Sequence, residues 1–170
     1  MTTDTTRLRL ARRAHAQAIA TLSRDRIEQG LGWSWTARRV ARSLADPDTN
    51  VLVALDATDA VSGFGIMKFG DDEAHLLLLA VQAAQGRRGI GSAMMTWLEA
   101  VAVAAGVRRI LLEARDSNAP ARAFYRRLGY RELEMLPGYY QGREDSVRLV
   151  KDLWEWAATG LSRRAGDLRE

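Results

Sequence analysis

The sequence predicts an α/β protein in which a mixed sheet of about seven strands is flanked by about four helices. Short apolar or alternating segments bounded by turn residues are typical of strands, and the segments between them carry apolar residues at helical spacing. The resulting order, β-α-α-β-β-β-α-β-α-β-β, implies helices on both faces of the sheet. With 170 residues, 47% of them hydrophobic, the chain can bury one sizeable core. We expect one domain over residues 1–152 and a tail over 153–170.

The first half of the chain is predicted to form a strand, two helices and a β-hairpin. Ile19 and Leu22 share one face of the first helix, which Gly30-Leu31-Gly32 ends. Ser34 or Thr36 is the expected N-cap of the second helix. The predicted elements are strands over 8–12, 50–56 and 61–69, a helix over 14–29, and a second helix that ends near residue 44.

The second half is predicted to alternate strands and helices. Gly106 and Gly129 end its two helical segments. Pro137-Gly138 is the expected turn before the last strand, and the tail, with Trp154 and Trp156, is a candidate for an extra helix. The predicted elements are strands over 76–81, 109–114, 130–136 and 144–152, and helices over 90–105 and 118–128.

Residues 81–92 join a buried strand to a helix through a turn rich in glycine and arginine. This arrangement can bind an anion, because free N–H groups at a helix N-terminus point outward and the helix dipole adds partial positive charge. Gly89 and Gly91 would let a ligand approach the main chain. A turn of this kind is also often only a tight connection, so both interpretations stay open. The chain lacks Gly-x-x-x-x-Gly-Lys-Ser/Thr, which argues against a P-loop nucleotidase.

Composition argues against several other classes of protein. The chain has no cysteine, which excludes disulfides, thiolate metal sites and a cysteine nucleophile, and only two histidines, His15 and His75. The net charge is +4, but the arginines are scattered, which favours a solvated surface and a local phosphate site over nucleic-acid binding. There is no apolar run of membrane-spanning length and no signal-peptide core, so we expect a cytoplasmic protein without membrane contact.

Residues 81–92 resemble the acetyl-CoA pyrophosphate loop of the Gcn5-related N-acetyltransferases, whose motif is Arg/Gln-x-x-Gly-x-Gly/Ala. Gly89 and Gly91 match its glycines, whereas Gly86 stands where the family usually has Arg or Gln. The family's second signature follows over 112–130, where its fixed positions are filled by Asn118, Ala121, Tyr125 and Gly129-Tyr130. The resemblance covers about residues 7–152 and implies that family's fold, a mixed and mostly antiparallel sheet.

The same resemblance implies acetyl-CoA as the co-substrate and no metal. In the family the strand backbone binds the pantetheine arm and the loop binds the pyrophosphate. These roles carry over to Leu79, Ala80 and Val81 for the pantetheine arm, to Arg87, Arg88, Gly89, Ile90, Gly91 and Ser92 for the pyrophosphate, and to Asn118 for a further cofactor contact.

Tyr125 is implied by the resemblance to be the general acid. Transfer of an acetyl group from a thioester to an amine expels a thiolate. The leaving thiol has a pKa near ~8.5 and a tyrosine near ~10, so a phenol can protonate the sulfur as charge develops. The alternative is a core tyrosine, because Phe124, Tyr125 and Leu128 also form an apolar helical face.

A general base is the second requirement, since the attacking amine must be neutral. An α-amine with a pKa near ~7.7–8.0 needs little help, whereas a lysine near ~10.4 needs much more. Glu113 at the end of its strand and His75 on the strand before the loop are the two candidates, and a water chain is the third possibility. The alternative for Glu113 is an ion pair with an arginine.

A closer resemblance is to the ribosomal-protein alanine N-acetyltransferases, bacterial enzymes that acetylate an N-terminal α-amine. Their Leu-Glu-x-Arg-x-Ser-Asn segment matches residues 112–118, and their Tyr-Tyr…Arg-Glu-Asp-Ala segment resembles residues 139–146. In them the Glu accepts a proton and the Tyr twelve residues later donates one. Glu113 and Tyr125 keep that spacing, which places Glu113 ahead of His75 as the base.

The acceptor amine stays open at this stage. Residues 30–35 lie where the family builds its acceptor pocket but do not match that group, and core packing explains Trp33 and Trp35 equally well. We expect a protein N-terminus or a small-molecule amine as the acceptor, for a monomer or homodimer. Two other classes remain: a CoA-binding module without turnover, if Tyr125 is buried away from the loop, and a nucleic-acid-binding protein, if the arginines form one face.

Overall fold

The computed structural model describes residues 6–85 and 89–155 and contains seven strands and four α-helices in these ranges. The order of elements is the predicted one. In chain order they are β1 (Arg7–Leu10), α1 (Ala16–Arg26), α2 (Ala37–Ala45), β2 (Thr49–Leu55), β3 (Val61–Phe69), β4 (Glu73–Val81), α3 (Ile90–Ala104), β5 (Arg109–Arg115), α4 (Ala119–Arg127), β6 (Arg131–Tyr140) and β7 (Glu144–Asp152). Short 3-10 helices stand at Arg13–His15 and Ala83–Gln85.

The strands form one seven-stranded sheet in the order β1-β2-β3-β4-β5-β7-β6. The chain divides into two compact units, the first over Met1–Phe69 and His75–Ala100 and the second over Gly70–Ala74 and Val101–Glu170. Within the described part of the chain no helix is long and apolar enough to cross a membrane.

The core of the first unit lies between its helices and β2–β4. Both β1 with β2 and β2 with β3 pair antiparallel. On β3, a Cβ at Gly63 or Gly65 would come within 3.1 Å of Met94 or Leu98 of α3. Because these two positions carry no side chain, α3 packs closely against β3, and this packing positions the helix N-terminus.

The loop between α1 and α2 is organised by a buried carboxylate. The predicted first helix runs to residue 29, but α1 ends at Arg26, because Glu28 turns inward instead of continuing it. The Glu28 carboxylate accepts hydrogen bonds from the Ser34 amide and hydroxyl (2.7 Å each), the Trp35 amide (3.2 Å) and the Ser23 hydroxyl (3.1 Å). Three donors from the loop and one from α1 satisfy a carboxylate that would otherwise be costly to bury.

The two tryptophans of this loop differ in environment. Trp35 belongs to the apolar core. The Arg39 guanidinium lies over the Trp35 ring, with its central carbon 3.9 Å from the ring centroid. Trp33 is 41% exposed. Thr36, one of the two predicted caps, accepts the Arg39 amide and begins α2. The core-packing interpretation therefore holds for Trp35.

The second unit is built on β5, β7 and β6, which pair antiparallel in that order. Helix α4 connects β5 to β6, and Asn118 caps it by accepting the Ala121 amide at 3.1 Å. The chain is helical again over 153–155, and the rest of the predicted tail helix, with Trp156, lies outside the described residues.

The turn predicted at Pro137-Gly138 is wrong, because β6 continues through both residues to Tyr140. As the last strand in the sheet order, β6 leaves one edge unpaired, where proline's missing N–H costs no ladder hydrogen bond. The register is irregular between Leu136 and Tyr140. The actual turn follows the strand, with positive φ at Gln141 and Gly142.

Candidate active site

The predicted anion loop lies between β4 and α3 in the first unit. Arg87 and Arg88 lie outside the described residues. Gly89 has φ +77, a conformation that glycine adopts without strain, and its carbonyl accepts the Ala93 amide in the first turn of α3. The amides of Ile90, Gly91 and Ser92 are those a helix start leaves without intrahelical partners. The sequence thus forms a glycine turn followed by outward-pointing donors.

The strand before this loop is held at its end by β3. The Gln82 amide donates to the Ser62 carbonyl at 2.8 Å, and the Gln82 side chain donates to the Val61 carbonyl at 2.9 Å. Ala80 is buried, and its neighbours Leu79 and Val81 are half-buried. These contacts hold the strand end that leads into the loop.

The polar groups near the loop permit a fit test for a phosphate-bearing ligand. The Gln85 side-chain oxygen is buried and has no hydrogen-bond partner among the described residues. This oxygen can only accept a hydrogen bond from a ligand donor, whereas the first amides of α3 are donors that suit an anion. The geometry therefore fits an anionic ligand with further hydrogen-bonding groups.

Asn118 caps α4 in the second unit, as described above. Its side-chain oxygen is engaged by the cap, so the side-chain NH₂ is the group available to a ligand.

Tyr125 lies on α4 and is 8% exposed. Its ring packs edge-on against Phe124 and Tyr130, with centroids 5.1 Å and 5.7 Å away. Burial raises the pKa of Tyr125 well above its ordinary value, and the neighbouring Tyr140 adds to the shift. The phenol of Tyr125 therefore stays protonated at neutral pH.

Glu113 lies on β5 directly opposite Arg148 of β7. Its side chain is only 4% exposed, and Arg148 donates to it through two nitrogens at 2.9 Å each. The same guanidinium reaches Glu134 of β6 at 3.0 Å. The ion pair that sequence reasoning kept as the alternative for Glu113 is therefore present.

Two tyrosines at the end of β6 complete this cluster. The Tyr139 hydroxyl donates to Glu113, and burial and that carboxylate both raise the pKa of Tyr139. The pKa of Tyr140 is raised by burial first and then by Tyr139 and Glu113. Sequence reasoning did not include these tyrosines among the site residues, although the adjacent pair at a strand end was visible. The cluster, defined as Glu113, Tyr125, Tyr139, Tyr140 and Arg148, lies wholly in the second unit.

The wall beside Tyr140 is an ion-paired network. The Arg115 guanidinium lies 5.6 Å from the Tyr140 ring centroid and bonds Glu144 at 2.8 Å. Ser117 donates to the same carboxylate at 2.6 Å. These contacts hold the strand ends beside Tyr140.

His75, the alternative base, is the third residue of β4 and is half-buried. Among the described residues no group of three or more His, Cys, Asp or Glu side chains could hold a metal ion.

A helix N-terminus that can bind an anion and a buried tyrosine that can donate a proton are features that an acyltransferase would use. The chain belongs to the acetyltransferase (GNAT) family, whose model matches residues 14–130.

Individual relatives are similar over part of the chain. An N-acetyltransferase of Methanocaldococcus jannaschii is 40% identical over 88 residues, which is 51% of this chain and 55% of that protein. The ribosomal protein bS18-alanine N-acetyltransferase of Salmonella typhimurium is 38% identical over 96 residues, 55% of this chain and 65% of that protein. The chain thus matches between about half and two thirds of the length of these relatives.

Solved structures show the same fold over nearly the whole described chain. Ard1 from Thermoplasma volcanium superimposes with a TM-score of 0.77 at 22% identity, covering 86% of this chain and 97% of that one. The ribosomal-protein-S18-alanine N-acetyltransferase of Escherichia coli gives 0.76 at 24% identity, covering 88% and 94%. At these identities the likeness concerns the fold, and it confirms the predicted fold class.

Proposed function

We propose that the protein transfers the acetyl group of acetyl-CoA to a primary amine. The observation that carries the proposal is Tyr125, a buried residue of α4 whose raised pKa keeps its phenol protonated at neutral pH. Membership of the acetyltransferase family supplies the reaction class. A protonated phenol can serve as a general acid.

The proposed cofactor site uses the loop and the strand before it. The amides at the start of α3 would bind the pyrophosphate, with Arg87 and Arg88 as further cationic groups, and the backbone of 79–81 would bind the pantetheine arm. Asn118 would add a contact through its free NH₂. The helix dipole and unpaired amides suit phosphate oxygens. No metal is needed for this chemistry.

The proposed reaction accounts for each bond that forms or breaks and for each proton that moves. The amine lone pair attacks the thioester carbonyl carbon, and the C–S bond then breaks, with its electron pair leaving on sulfur. Tyr125 gives its proton to that thiolate, while the amine loses a proton to a base. Because burial raises the pKa of Tyr125 above that of the thiol, the phenol stays protonated and donates to the sulfur as negative charge develops there; the phenolate then regains a proton from solvent as CoA leaves.

Glu113 is the proposed base. Arg148 stabilises its carboxylate as an anion, the form a base requires, and Tyr139 is a third hydrogen-bonding neighbour. These hydrogen bonds orient the Glu113 carboxylate but also occupy much of its hydrogen-bonding capacity. His75 and a water chain therefore remain the alternatives, and an amine that is already neutral needs the least assistance.

A protein N-terminal α-amine is the proposed acceptor. Relatives are named for this chemistry: the bS18-alanine enzyme and an N-alpha-acetyltransferase of Sulfurisphaera tokodaii that is 32% identical over 80 residues. A small-molecule amine is the second candidate, because structures of the same fold include an aminoglycoside 6'-N-acetyltransferase. We further propose a cytoplasmic enzyme, monomeric or homodimeric, whose domain spans 1–152.

The test is release of free CoA from acetyl-CoA in the presence of defined acceptors, with mass-spectrometric detection of the product. Peptides with a free N-terminus and no lysine should be acetylated, whereas the same peptides with a blocked N-terminus should not. Lysine-containing peptides blocked at the N-terminus and an aminoglycoside test the other acceptors. Acetyl-CoA binding without turnover of any acceptor would identify a CoA-binding module and end the proposal.

A further inference from the structure

An open pocket in the first unit is lined by residues that the proposed reaction does not use. It has a volume of about 530 Å³ and lies between α2 and the chain just after β1. Its lining consists of small aliphatic residues, here called the floor, and of arginines, here called the rim. The floor residues are Ala11, Ala41, Leu44 and Ala45, and the rim residues are Arg13, Arg38 and Arg42.

The three rim arginines have exposed side chains and no ion-pair or hydrogen-bond partner among the described residues. Arginines elsewhere in the described chain are often paired, as Arg115 is with Glu144 and Arg122 with Glu132. Arg38 and Arg42 stand four residues apart on α2, so they share one face of the helix. The rim thus gathers uncompensated positive charge on one side of an apolar floor.

Nearby groups account for only part of this charge. Arg42 lies in the last turn of α2, where the helix dipole favours a cation. Asp46, just beyond α2, is engaged by the Asp48 amide (3.0 Å), the Thr49 hydroxyl (2.8 Å) and Lys68 (3.5 Å). Neither the helix dipole nor Asp46 balances the charge of Arg13 or Arg38. An anionic partner would complement all three arginines.

The composition of the floor indicates which class of partner the pocket can bind. It contains no aromatic ring on which a base could stack, and stacking platforms are the usual means of holding single-stranded nucleic acid. A phosphate backbone alone would leave the aliphatic floor uncovered. A peptide with an aliphatic side chain between carboxylates would cover the floor and pair with the rim, since planar guanidinium groups match carboxylates bidentately.

We propose that this pocket, the arginine-rimmed pocket, docks an acidic peptide segment of a partner protein, with an aliphatic side chain on Ala11, Ala41 and Leu44 and carboxylates on Arg13, Arg38 and Arg42. Its residues are not among those proposed for acetyl transfer. The docking proposal can therefore be tested independently of acetyl transfer.

The probe is a fluorescein-labelled peptide, Glu-Glu-Leu-Glu-Glu, acetylated at its N-terminus and without lysine, so that it cannot serve as an acetyl acceptor. We expect saturable binding to the full chain by fluorescence polarisation, weakening as salt is raised. The double variant Arg38→Ala/Arg42→Ala should bind about ten-fold or more weakly, a loss of about 1.4 kcal/mol. Its melting temperature should stay near the wild-type value, because both side chains are exposed.

Two controls separate a built pocket from general attraction to a basic protein. Arg127→Ala/Arg131→Ala removes two exposed arginines of the second unit and should leave binding unchanged. Ala41→Glu places a carboxylate among the rim arginines and should abolish binding. A peptide with Asn in place of Leu tests the floor and should bind more weakly.

Three outcomes would overturn the proposal. The first is equal loss in both double variants, which means non-specific charge attraction. The second is indifference to the Leu-to-Asn change. The third is tighter binding of a single-stranded oligouridylate than of the peptide, lost in Arg38→Ala/Arg42→Ala, which would make the pocket a nucleic-acid site.

Discussion

At the scale of single residues, Tyr125 gives the sharpest test of the proposed chemistry. Tyr125→Phe keeps the ring and its edge-on packing but removes the proton that the thiolate needs. Turnover at saturating acetyl-CoA and acceptor should fall by roughly 10²–10⁴-fold, with little change in CoA affinity or melting temperature. Tyr130→Phe is the matched control, because Tyr130 is also buried and packs on Tyr125. Near-wild-type kcat in Tyr125→Phe would make Tyr125 a core tyrosine.

The raised pKa of Tyr125 also sets a pH dependence. Because the folded pKa lies above the unfolded value, the folded state retains the proton longer. Stability from this group is therefore fully present below about pH 10 and is lost as pH rises above it. Activity should show no alkaline loss from Tyr125 below about pH 10, and Tyr125→Phe should unfold less readily than wild type at strongly alkaline pH in denaturant titrations.

Glu113 can be tested against a carboxylate that shares its arginine. Glu113→Gln should lower kcat/KM by roughly 10²–10⁴-fold and remove the acidic limb of the pH profile if Glu113 is the base. Glu134→Gln also removes a carboxylate from Arg148, but a 49% exposed one, and should leave the profile intact. If His75→Ala alone removes the limb, the base is His75. If neither does, a water chain or a neutral amine carries the step.

At the scale of elements, most of the fold is predictable from local signals. Strands β3 and β7 match their predicted bounds to the residue, because alternating or apolar runs there end at clear turn residues. The errors arise where the deciding contact is not local. Pro137-Gly138 has the composition of a turn, but β6 is an edge strand that tolerates proline. Helix α1 stops early because Glu28 is drawn inward by donors up to seven residues later.

The residues of the candidate site also fall into two groups, those that a local sequence motif reveals and those that only strand pairing brings together. Glu113, Tyr125 and Asn118 were found because a motif of fixed spacing contains them, and their catalytic and binding roles stay predictions. Arg148 could not be found, because it meets Glu113 across 35 residues of sequence through the pairing of β5 with β7. Tyr139 reaches the same carboxylate from the end of β6. Register between strands, which depends on all of their side chains, decides such neighbours.

At the scale of the whole molecule, cofactor binding should appear as stability, because a ligand that binds only the folded state stabilises it. At about a hundred times its Kd, acetyl-CoA should add about 2.7 kcal/mol to the free energy of unfolding. Gly89→Ala tests whether the loop is responsible. An added Cβ there meets no atom of the described residues within 4 Å, and we expect the pyrophosphate to approach on that side.

Gly106→Ala, beyond the end of α3, is the matched control for backbone strain in this test. Gly89 and Gly106 have φ of +77 and +78, and in the part of the chain that the structure describes neither Cβ would meet an atom within 4 Å. Each substitution should cost about 1–2 kcal/mol without ligand. Only Gly89→Ala should also lose affinity for acetyl-CoA by calorimetry and the ligand-induced rise in melting temperature. Wild-type affinity in Gly89→Ala would place the pyrophosphate elsewhere, whereas equal loss in both variants would mean that strain, not ligand contact, weakens binding.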